Sequence, residues 1–477
     1  MRTLVIGAGV AGLGSALALS RQGHEVVVLE RDRTPLPHDP DEAFEWDRRG
    51  APQVRHSHAL LARLRNLLRD RYPDVLERLH EAGATEWPLT ANLPETLDDR
   101  TPKPGDDDLV MLACRRTTFE WVLRRTVLEA PHVSLLDGVV VNSLLTSDGS
   151  VHGEHATVDG AHATVDGVAT TFEADLVIAA NGRRGDVPAW LADAGVHIEE
   201  TVEDTGIIYL SRFYRLRDGK DVPEQAGPIG GDLGYLKYAT FIGDNRTFSV
   251  TFATPVGDDE LRSRLLDPAT FEQAARLLPA TRPWLEDDRA DSITPVHVMA
   301  KLLNRIRRFT DESGEPLVRG FAAVGDAHTC TNPLYGRGCS LAMVQATLLA
   351  DALAQSPDDL VAAVAAYERA STEEVEPWYH AAVMSDRENR SPASGDESDP
   401  RAFMRGVLRE GLAPAMRTDQ AVLRAFLRTF NLLTTPDALM RDGDLITKIV
   451  AVYNDRDNRP AEPELGPATR EELLQSL

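Results

Sequence analysis

Positive charge is in short supply in this chain. Fifty-one lysines and arginines face seventy-five aspartates and glutamates, a net charge of −24 over 477 residues. Such a surplus of carboxylates disfavours nucleic acid and anionic membrane surfaces as partners. Cysteine is scarcer still. Cys114, Cys330 and Cys339 form no C-x-x-C pair, which excludes a disulfide framework and any cysteine metal site, and suits a reducing, cytoplasmic compartment. Long apolar runs are missing, since none approaches the roughly 20 residues of a membrane span. Aromatic residues make up 6% of the chain, so few stacking side chains can be nominated. The length allows two or three domains with ample core.

What is present begins at the first residues, RTLVIGAGVAGLGSALALSRQGHEVVVLERD. Leu4 to Ile6 reads as a buried strand, Ala11 to Arg21 as a helix and Val26 to Leu29 as a second buried strand. Gly7, Gly9 and Gly12 fit G-x-G-x-x-G, and Glu30 follows Gly12 by eighteen residues. Each part has a physical task. Gly7 permits the tight turn, Gly9 lets the backbone approach a pyrophosphate, and Gly12 lets the helix pack on the strand. The helix start, with Val10 and Ala11, stabilises the anion, and the carboxylate receives a ribose hydroxyl. Arg2 followed by an apolar run resembles a signal peptide superficially. The three glycines and the continuing strand argue against that reading.

A second constellation lies far along the chain, in AAVGDAHTCTNPLYGRGCSLAMVQATLLADAL. A small-residue strand ends at Gly325-Asp326. A turn with Pro333 and Gly336-Arg337-Gly338 then opens a helix near Cys339. A carboxylate at a strand end can accept a hydrogen bond from the ribityl chain of a flavin dinucleotide. The free N–H groups of the following helix can stabilise negative charge on a reduced ring. Pro333 supplies a rigid wall without a donor.

Between these segments, RRGAPQVRHSHALLARLRNLLRDRYPDVLERLHEAGA gives a loop with Arg55, His56 and His58, then helical apolar spacing from Leu60 to Leu68. LVMLACRRTTFEWVLRRTVLEA gives a strand and a helix starting near Thr118, with Arg116 at the junction. Residues 133–182 read as β. HATVDG occurs at 155–160 and again at 162–167, which predicts an elongated hairpin made by duplication. FEADLVIAANG adds a buried strand, Leu176 to Ala179, running into Asn181-Gly182. Residues 206–255 alternate as an antiparallel sheet with one ligand-facing side. GPIGGDLG at 227–234 has glycines but lacks the flanking strand and helix of a second nucleotide site. Beyond 355 the pattern is helical, broken by a polar stretch at 385–400 that predicts a surface loop.

Together these motifs resemble the FAD-dependent monooxygenase superfamily with the para-hydroxybenzoate hydroxylase fold, especially bacterial epoxidases and hydroxylases of natural products. The likeness rests on GAGVAGLGSALALSRQGHEVVVLERD, GAPQVRHSHALL, CRRTTFEWVLRR, DLVIAANG and VGDAHTCTNPLYGRGCSLA, and covers roughly residues 1–355. Asn181 stands where an aspartate or threonine is usual in the DLVIAANG segment.

The resemblance implies a mixed α/β (α+β) fold. It has a Rossmann-type FAD-binding domain (1–185 and 300–355), an inserted antiparallel β-sheet substrate domain (186–299) and a helical C-terminal region (356–477). It also implies roles. Gly7, Gly9, Val10, Ala11, Gly12, Glu30 and Arg31 would hold the ADP half of FAD, and Arg55 and Arg116 would contact the cofactor. Asn181-Gly182 would lie beside the pyrophosphate, Gly325-Asp326 on the ribityl chain, and Pro333 with Gly336, Arg337 and Gly338 against the ring. A flavin hydroperoxide would epoxidise or hydroxylate an apolar polyketide-type or aromatic substrate, with O2 consumed. Electrons would come from NAD(P)H docking on the FAD domain, or from a separate flavin reductase. No protein acid or base is assigned, and His56, His58 and His328 read as structural. The rival readings are a reductase or dehydrogenase of the same fold and a halogenase. The W-x-W-x-I-P signature of halogenases is absent around Trp46, Trp87, Trp121, Trp190, Trp284 and Trp378.

Overall fold

The computed structural model describes residues 1–147, 156–224, 229–286, 288–390, 404 and 406–477. Its centre is a five-stranded parallel sheet in the order Phe321–Ala323, Leu176–Ala179, Arg2–Ile6, Glu25–Leu29, Val133–Leu136. The three central strands are the short apolar runs read as buried strands, and both of their faces are covered, as a parallel sheet requires. On one face the helices Val10–Ser20, Ala62–Arg71, Arg116–Glu129 and Gly338–Gln355 share a core with Val5, Val28 and Ile178. On the other face Leu4, Ile6, Val177 and Ala179 pack against a three-stranded antiparallel sheet and the helix Val187–Asp193.

That antiparallel sheet corrects the duplication reading. Both HATVDG copies run along one strand, Thr157–Val165, which pairs with Val139–Ser147 on one side and Val168–Glu173 on the other. Residue 155 lies outside the described residues. The second copy turns at Asp166 (φ 51) and Gly167 (φ 80), whereas in the first copy Gly160 (φ 151) stays in the strand. A Cβ on Gly160 would come within 1.9 Å of the Phe172 carbonyl oxygen. The same tripeptide is thus a turn or a strand according to its neighbours, because pairing on both sides overrides the local turn preference.

The second large sheet follows the order Gly230–Asp232, Lys237–Ile242, Thr247–Pro255, Ile207–Leu216, Ala290–Ser292, with His297–Met299 also paired to Ile207–Leu216. Its alternation is clean. Leu210, Tyr214, Phe248, Val250 and Phe252 pack on the helices Asp259–Leu265 and Pro268–Leu277. Ser211, Phe213, Ser249 and Thr251 face the nucleotide-type domain, where they meet His56, Phe44 and Ser57. Within GPIGGDLG, residues 230–232 form an edge strand, and 227–228 lie outside the described residues.

Past residue 355 the described chain is helical, and its last helix, Arg470–Ser476, returns to the second sheet. There Leu473 is buried in the sheet's core and Arg470 pairs with Asp258 at 2.7 Å. The polar stretch at 385–400 differs from expectation in its first part. The helix Glu376–Arg390 continues through it, because Asp386 is buried on amides of other elements, and residues 391–400 lie outside the described residues.

Candidate functional site

Four segments end at the carboxyl edge of the parallel sheet, where open α/β folds bind nucleotides. Gly7 (φ 106) makes the first turn. A Cβ there would lie 2.6 Å from the Ala180 carbonyl oxygen, so this glycine also admits the neighbouring strand. A Cβ on Gly12 would fall 1.9 Å from the Gly7 oxygen, so the helix rests directly on the turn. Gly9 caps the helix Val10–Ser20, and a Cβ there would meet nothing within 4 Å. Gly325 (φ 66) packs against Ala11, where a Cβ would lie 2.6 Å from the Ala11 Cβ, and this contact sets Asp326 beside the start of the first helix. The expected residues of the N-terminal fingerprint, of DLVIAANG and of VGDAH therefore come together.

Asp326 faces a positive field. Burial pushes its carboxyl above the usual carboxylate range, against the pull of Arg183, Arg116 and Arg305 and of the Cys330 thiol. Arg116 lies in the first turn of the helix Arg116–Glu129 rather than before it, since the helix starts two residues earlier than Thr118. Its guanidinium donates to Glu120 at 2.6 Å and to the Cys339 sulfur at 2.8 Å. Pro333 heads a short 3-10 turn, Gly336 (φ 65) closes it against Ala59, and Gly338 opens the helix Gly338–Gln355.

Three of the expected arginines have protein or solvent surroundings of their own. Arg337 turns its guanidinium between the rings of Tyr335 (4.6 Å) and Trp378 (4.7 Å), and burial lowers its pKa to about 10. Arg55 faces the carboxylate and carbonyl of Glu45, apart from the other expected residues. Arg31 is exposed. In their place stands Arg48, which pattern reading passed over. It is 4% exposed and donates to Glu120 at 2.7 Å, to the Ala8 carbonyl at 2.9 Å and to Glu30 at 3.3 Å. Glu30 also accepts from the N–H groups of Ala8 and Asp32. Burial alone would raise the Glu120 carboxyl, but Arg48 and Arg116 reverse this and hold it at about 2. The i, i+4 spacing of Arg116 and Glu120 was a usable signal, whereas nothing local marks Arg48 among the loop arginines.

This cradle suits FAD on its own geometry. Gly9, Gly182 and Gly338, from three separate motifs, each present backbone to space in which a Cβ would meet nothing within 4 Å. Among the described residues, the buried Asn181 Oδ1, Arg116 Nε and Arg337 Nε have no hydrogen-bond partner. Open backbone and unpartnered polar atoms are what a phosphate-bearing, many-oxygened ligand would satisfy. Gly7 to Gly12 would receive its pyrophosphate, Glu30 and Arg48 would lie on its adenosine side, Asp326 would lie on its linking chain, and the Pro333–Gly338 turn would border the ring.

From that turn, Leu334 packs against a cluster that includes Tyr209 and Ala253 of the second sheet. Next to this contact His56 Nδ1, Ser211, Thr251, Ser57 and Ser249 form a continuous hydrogen-bonded row with steps of 3.2, 2.8, 2.6 and 2.7 Å. Burial, with His297 and His58 nearby, lowers the His56 pKa to about 3, so this ring is neutral. A separate cleft of about 680 Å³ lies on the outer side, lined by charged residues of both signs including Asp41, Arg78, Arg125 and Glu129.

The comparisons with known proteins agree with this geometry. Residues 2–39 match the FAD dependent oxidoreductase family. The protein Rv3254 of Mycobacterium tuberculosis (strain ATCC 25618 / H37Rv) is 30% identical over 464 residues, covering 90% of this chain and 89% of its own. The p-nitrophenol 4-monooxygenase PnpA of Pseudomonas putida DLL-E4 superposes with a TM-score of 0.61 at 17% identity, covering 91% of this chain and 98% of its own. PqsL of Pseudomonas aeruginosa, a probable FAD-dependent monooxygenase, gives 0.57 at 18%, covering 82% and 96%. The myxobacterial chondrochloren halogenase CndH gives 0.59 at 17%, covering 86% and 90%. The chain belongs to the family of Rv3254, carries at its start the match to the FAD dependent oxidoreductase family, and shares the fold of PnpA, PqsL and CndH.

Proposed function

We propose that the protein is an FAD-dependent monooxygenase that hydroxylates or epoxidises a largely apolar, polyketide-type or aromatic molecule. Bound and reduced flavin supplies the two electrons that let one oxygen atom of O2 enter the substrate while the other leaves as water. The protein's own part is placement, dryness and electrostatics. The observation that carries the reading is the meeting of the Pro333–Gly338 turn with the second sheet at Leu334, Tyr209 and Ala253. It sets the place expected for the flavin ring beside a sheet face made of rings and hydroxyls.

That face combines Phe213 and Phe241 with Ser211, Ser249 and Thr251. It fits a molecule that buries carbon and offers one polar group for a hydroxyl to bond. NAD(P)H is the proposed electron source, docking on the FAD domain without a nucleotide fold of its own. A halogenase reading shares the fold with CndH, and it predicts halogenated product only when chloride or bromide is supplied.

The deciding experiment incubates the holoprotein with NAD(P)H, 18O2 and candidate aromatic and polyketide substrates, with and without halide. One 18O per product, independent of halide, is expected. Flavin reduction and product formation without 18O would establish a reductase instead.

A further inference from the structure

The turn expected to border the flavin ring is held from outside the nucleotide-type domain. The helix Glu376–Arg390 belongs to the C-terminal region, and it grips both ends of Asn332–Gly338. At one end Asp386, 2% exposed, accepts from Asn332 Nδ2 at 2.8 Å and from Tyr335 Oη at 3.3 Å. Its second oxygen accepts from Asn304 Nδ2 at 2.7 Å. Asn332 in turn caps the 3-10 turn, since its Oδ1 accepts from the Leu334 N–H at 3.0 Å, and also from Tyr209 Oη at 3.0 Å. Its own N–H donates to Asn304 Oδ1 at 2.7 Å. At the other end Trp378 lies 4.7 Å beneath the Arg337 guanidinium, which also donates to the Trp378 carbonyl at 3.4 Å. The helix itself is fixed by Glu376 on Arg308 and by Arg387 on Glu203.

The chemistry at position 386 is restrictive. Three donors converge on it, and a carboxylate alone among short side chains accepts three bonds while donating none. None of these donors is charged, and the one cation that pulls on the carboxylate, Arg390, donates no hydrogen bond to it, so burying the carboxylate costs stability. Burial pushes the Asp386 carboxyl up, against the pull of Asn304, Asn332 and Tyr335. A helix needed only for packing could be held by apolar contacts such as those of Tyr379 and Val383 with Ile306.

We propose that Asp386 and Trp378 are positioning residues for the flavin ring, acting through Asn332, Tyr335 and Arg337 on the turn that leads into the helix Gly338–Gln355. The proposal rests on the reading that this turn borders the ring. The N-terminus of that helix stabilises negative charge only at short range. A turn released from Asp386 moves that positive end away and weakens the hold on reduced flavin more than on oxidised flavin.

The test uses FAD-loaded protein. Its readouts are the FAD dissociation constant, the visible flavin spectrum, the two-electron midpoint potential by dye equilibration, and the melting temperature. Asp386→Ala is expected to bind reduced flavin about tenfold less favourably relative to oxidised flavin, a fall of about 30 mV in potential. Its FAD dissociation constant should change by less than about threefold, because the adenosine side is untouched. D386N sets an amide N–H against the Asn332 amide and is expected to behave likewise. Adding N332D restores a donor–acceptor pair across the contact, and the double variant should recover the wild-type spectrum and potential. Trp378→Leu should shift the spectrum and Trp378→Phe should not.

A wild-type potential in Asp386→Ala would overturn the proposal, as would a double variant no closer to wild type than D386N. If Asp386→Ala does not fold, the comparison of D386N with the double variant decides alone. Wild-type protein that binds no FAD would instead overturn the functional reading beneath the proposal.

Discussion

Arg115 and Asp244 form a buried ion pair, Nη2 to Oδ2 at 2.6 Å, that pins the hairpin tip of the second sheet to the helix beginning at Arg116. The carboxylate also accepts from the Arg115 N–H, from Thr118 Oγ1 and from Asn245 Nδ2. The pair matters because Arg115 adjoins Arg116, so the same joint aligns the sheet with the cofactor cradle. Burial would raise the Asp244 carboxyl, but the Arg115 hydrogen bonds and charge outweigh it and hold the group below the usual range.

Removing Asp244 strands a buried guanidinium. Asp244→Ala is expected to cost about 3–5 kcal/mol of unfolding free energy, the usual penalty for breaking one side of a buried pair. Urea unfolding followed by tryptophan fluorescence measures it, and an unchanged midpoint at an unchanged slope would show that the joint is not energetically coupled to the fold. Because the folded value is depressed, the stabilisation is present above the ordinary carboxylate pKa of about 3.9 and is lost as pH falls through the folded value. The variant should therefore lose less stability than wild type on acidification below about pH 4.

His56 provides a second pH signature, in a different window. Its value falls from 6.5 to about 3 on burial, so the folded state excludes a proton that the unfolded chain takes up. The stabilisation is complete above 6.5 and declines as pH falls toward 3. Between these limits the group contributes a slope of about 1.4 kcal/mol per pH unit. His56→Gln removes this titration. Unfolding free energies at several pH values from 4.5 to 6.5 should show a shallower dependence in the variant, and parallel curves would place the neutral imidazole in doubt.

The parallel sheet and its glycines were legible because each residue type there answers a backbone demand. Only glycine accepts Gly7's φ of 106 or the 1.9 Å approach at Gly12, so the pattern is local and strict. The alternation in 206–255 was legible for the same kind of reason, since one face packs apolar side chains on helices and the other turns hydroxyls toward the nucleotide-type domain. The duplicated HATVDG misled because its identical residues receive different partners, and pairing is not written locally. Arg48, Asp244 and Asp386 were invisible because Glu120, Arg115 and the Asn304, Asn332 and Tyr335 donors lie 72, 129 and 51 to 82 residues away from them in sequence. Buried charge networks depend on which loop the fold brings over, and composition carries no trace of that.

Glu30 is expected to act on retention of the cofactor rather than on its chemistry. Its carboxylate already braces the fingerprint turn through the Ala8 N–H and anchors Arg48. Glu30→Ala should weaken FAD binding by about 1.5–3 kcal/mol, the value of a charge-assisted hydrogen bond. Turnover should largely return when FAD is saturating. Titration of the apoprotein with FAD, alongside turnover at saturation, checks both halves. Inactivity that persists in a folded, saturated variant would assign Glu30 a different role.

Gly9 and Gly338, which meet open space, contrast sharply with Gly12, which does not. A Cβ on Gly9 or Gly338 meets nothing within 4 Å, and neither residue has a left-handed backbone, so protein atoms alone give no reason against a side chain there. A Cβ on Gly12 would sit 1.9 Å from the Gly7 oxygen and 3.3 Å from Val5 Cγ1, so the helix must lift off the turn. Gly12→Ala should therefore lower the melting temperature with or without FAD. Gly9→Ala should leave the unfolding free energy of the apoprotein within about 1 kcal/mol of wild type, the scale of a glycine-to-alanine entropy change, yet erase most of the stabilisation that added FAD provides. Gly338→Val should also fold, but its branched side chain would occupy the space expected for the ring. NAD(P)H consumption should then outrun product, with hydrogen peroxide making up the difference. If Gly9→Ala and Gly338→Val both melt early as apoproteins, the open space at these positions serves the fold, and the cradle must be sought elsewhere. If both fold normally and bind FAD as wild type does, with product still matching NAD(P)H, then neither glycine lies against the cofactor. Only normal folding combined with the two separate losses, of FAD stabilisation at position 9 and of coupling at position 338, matches a dinucleotide laid from the first turn to the last.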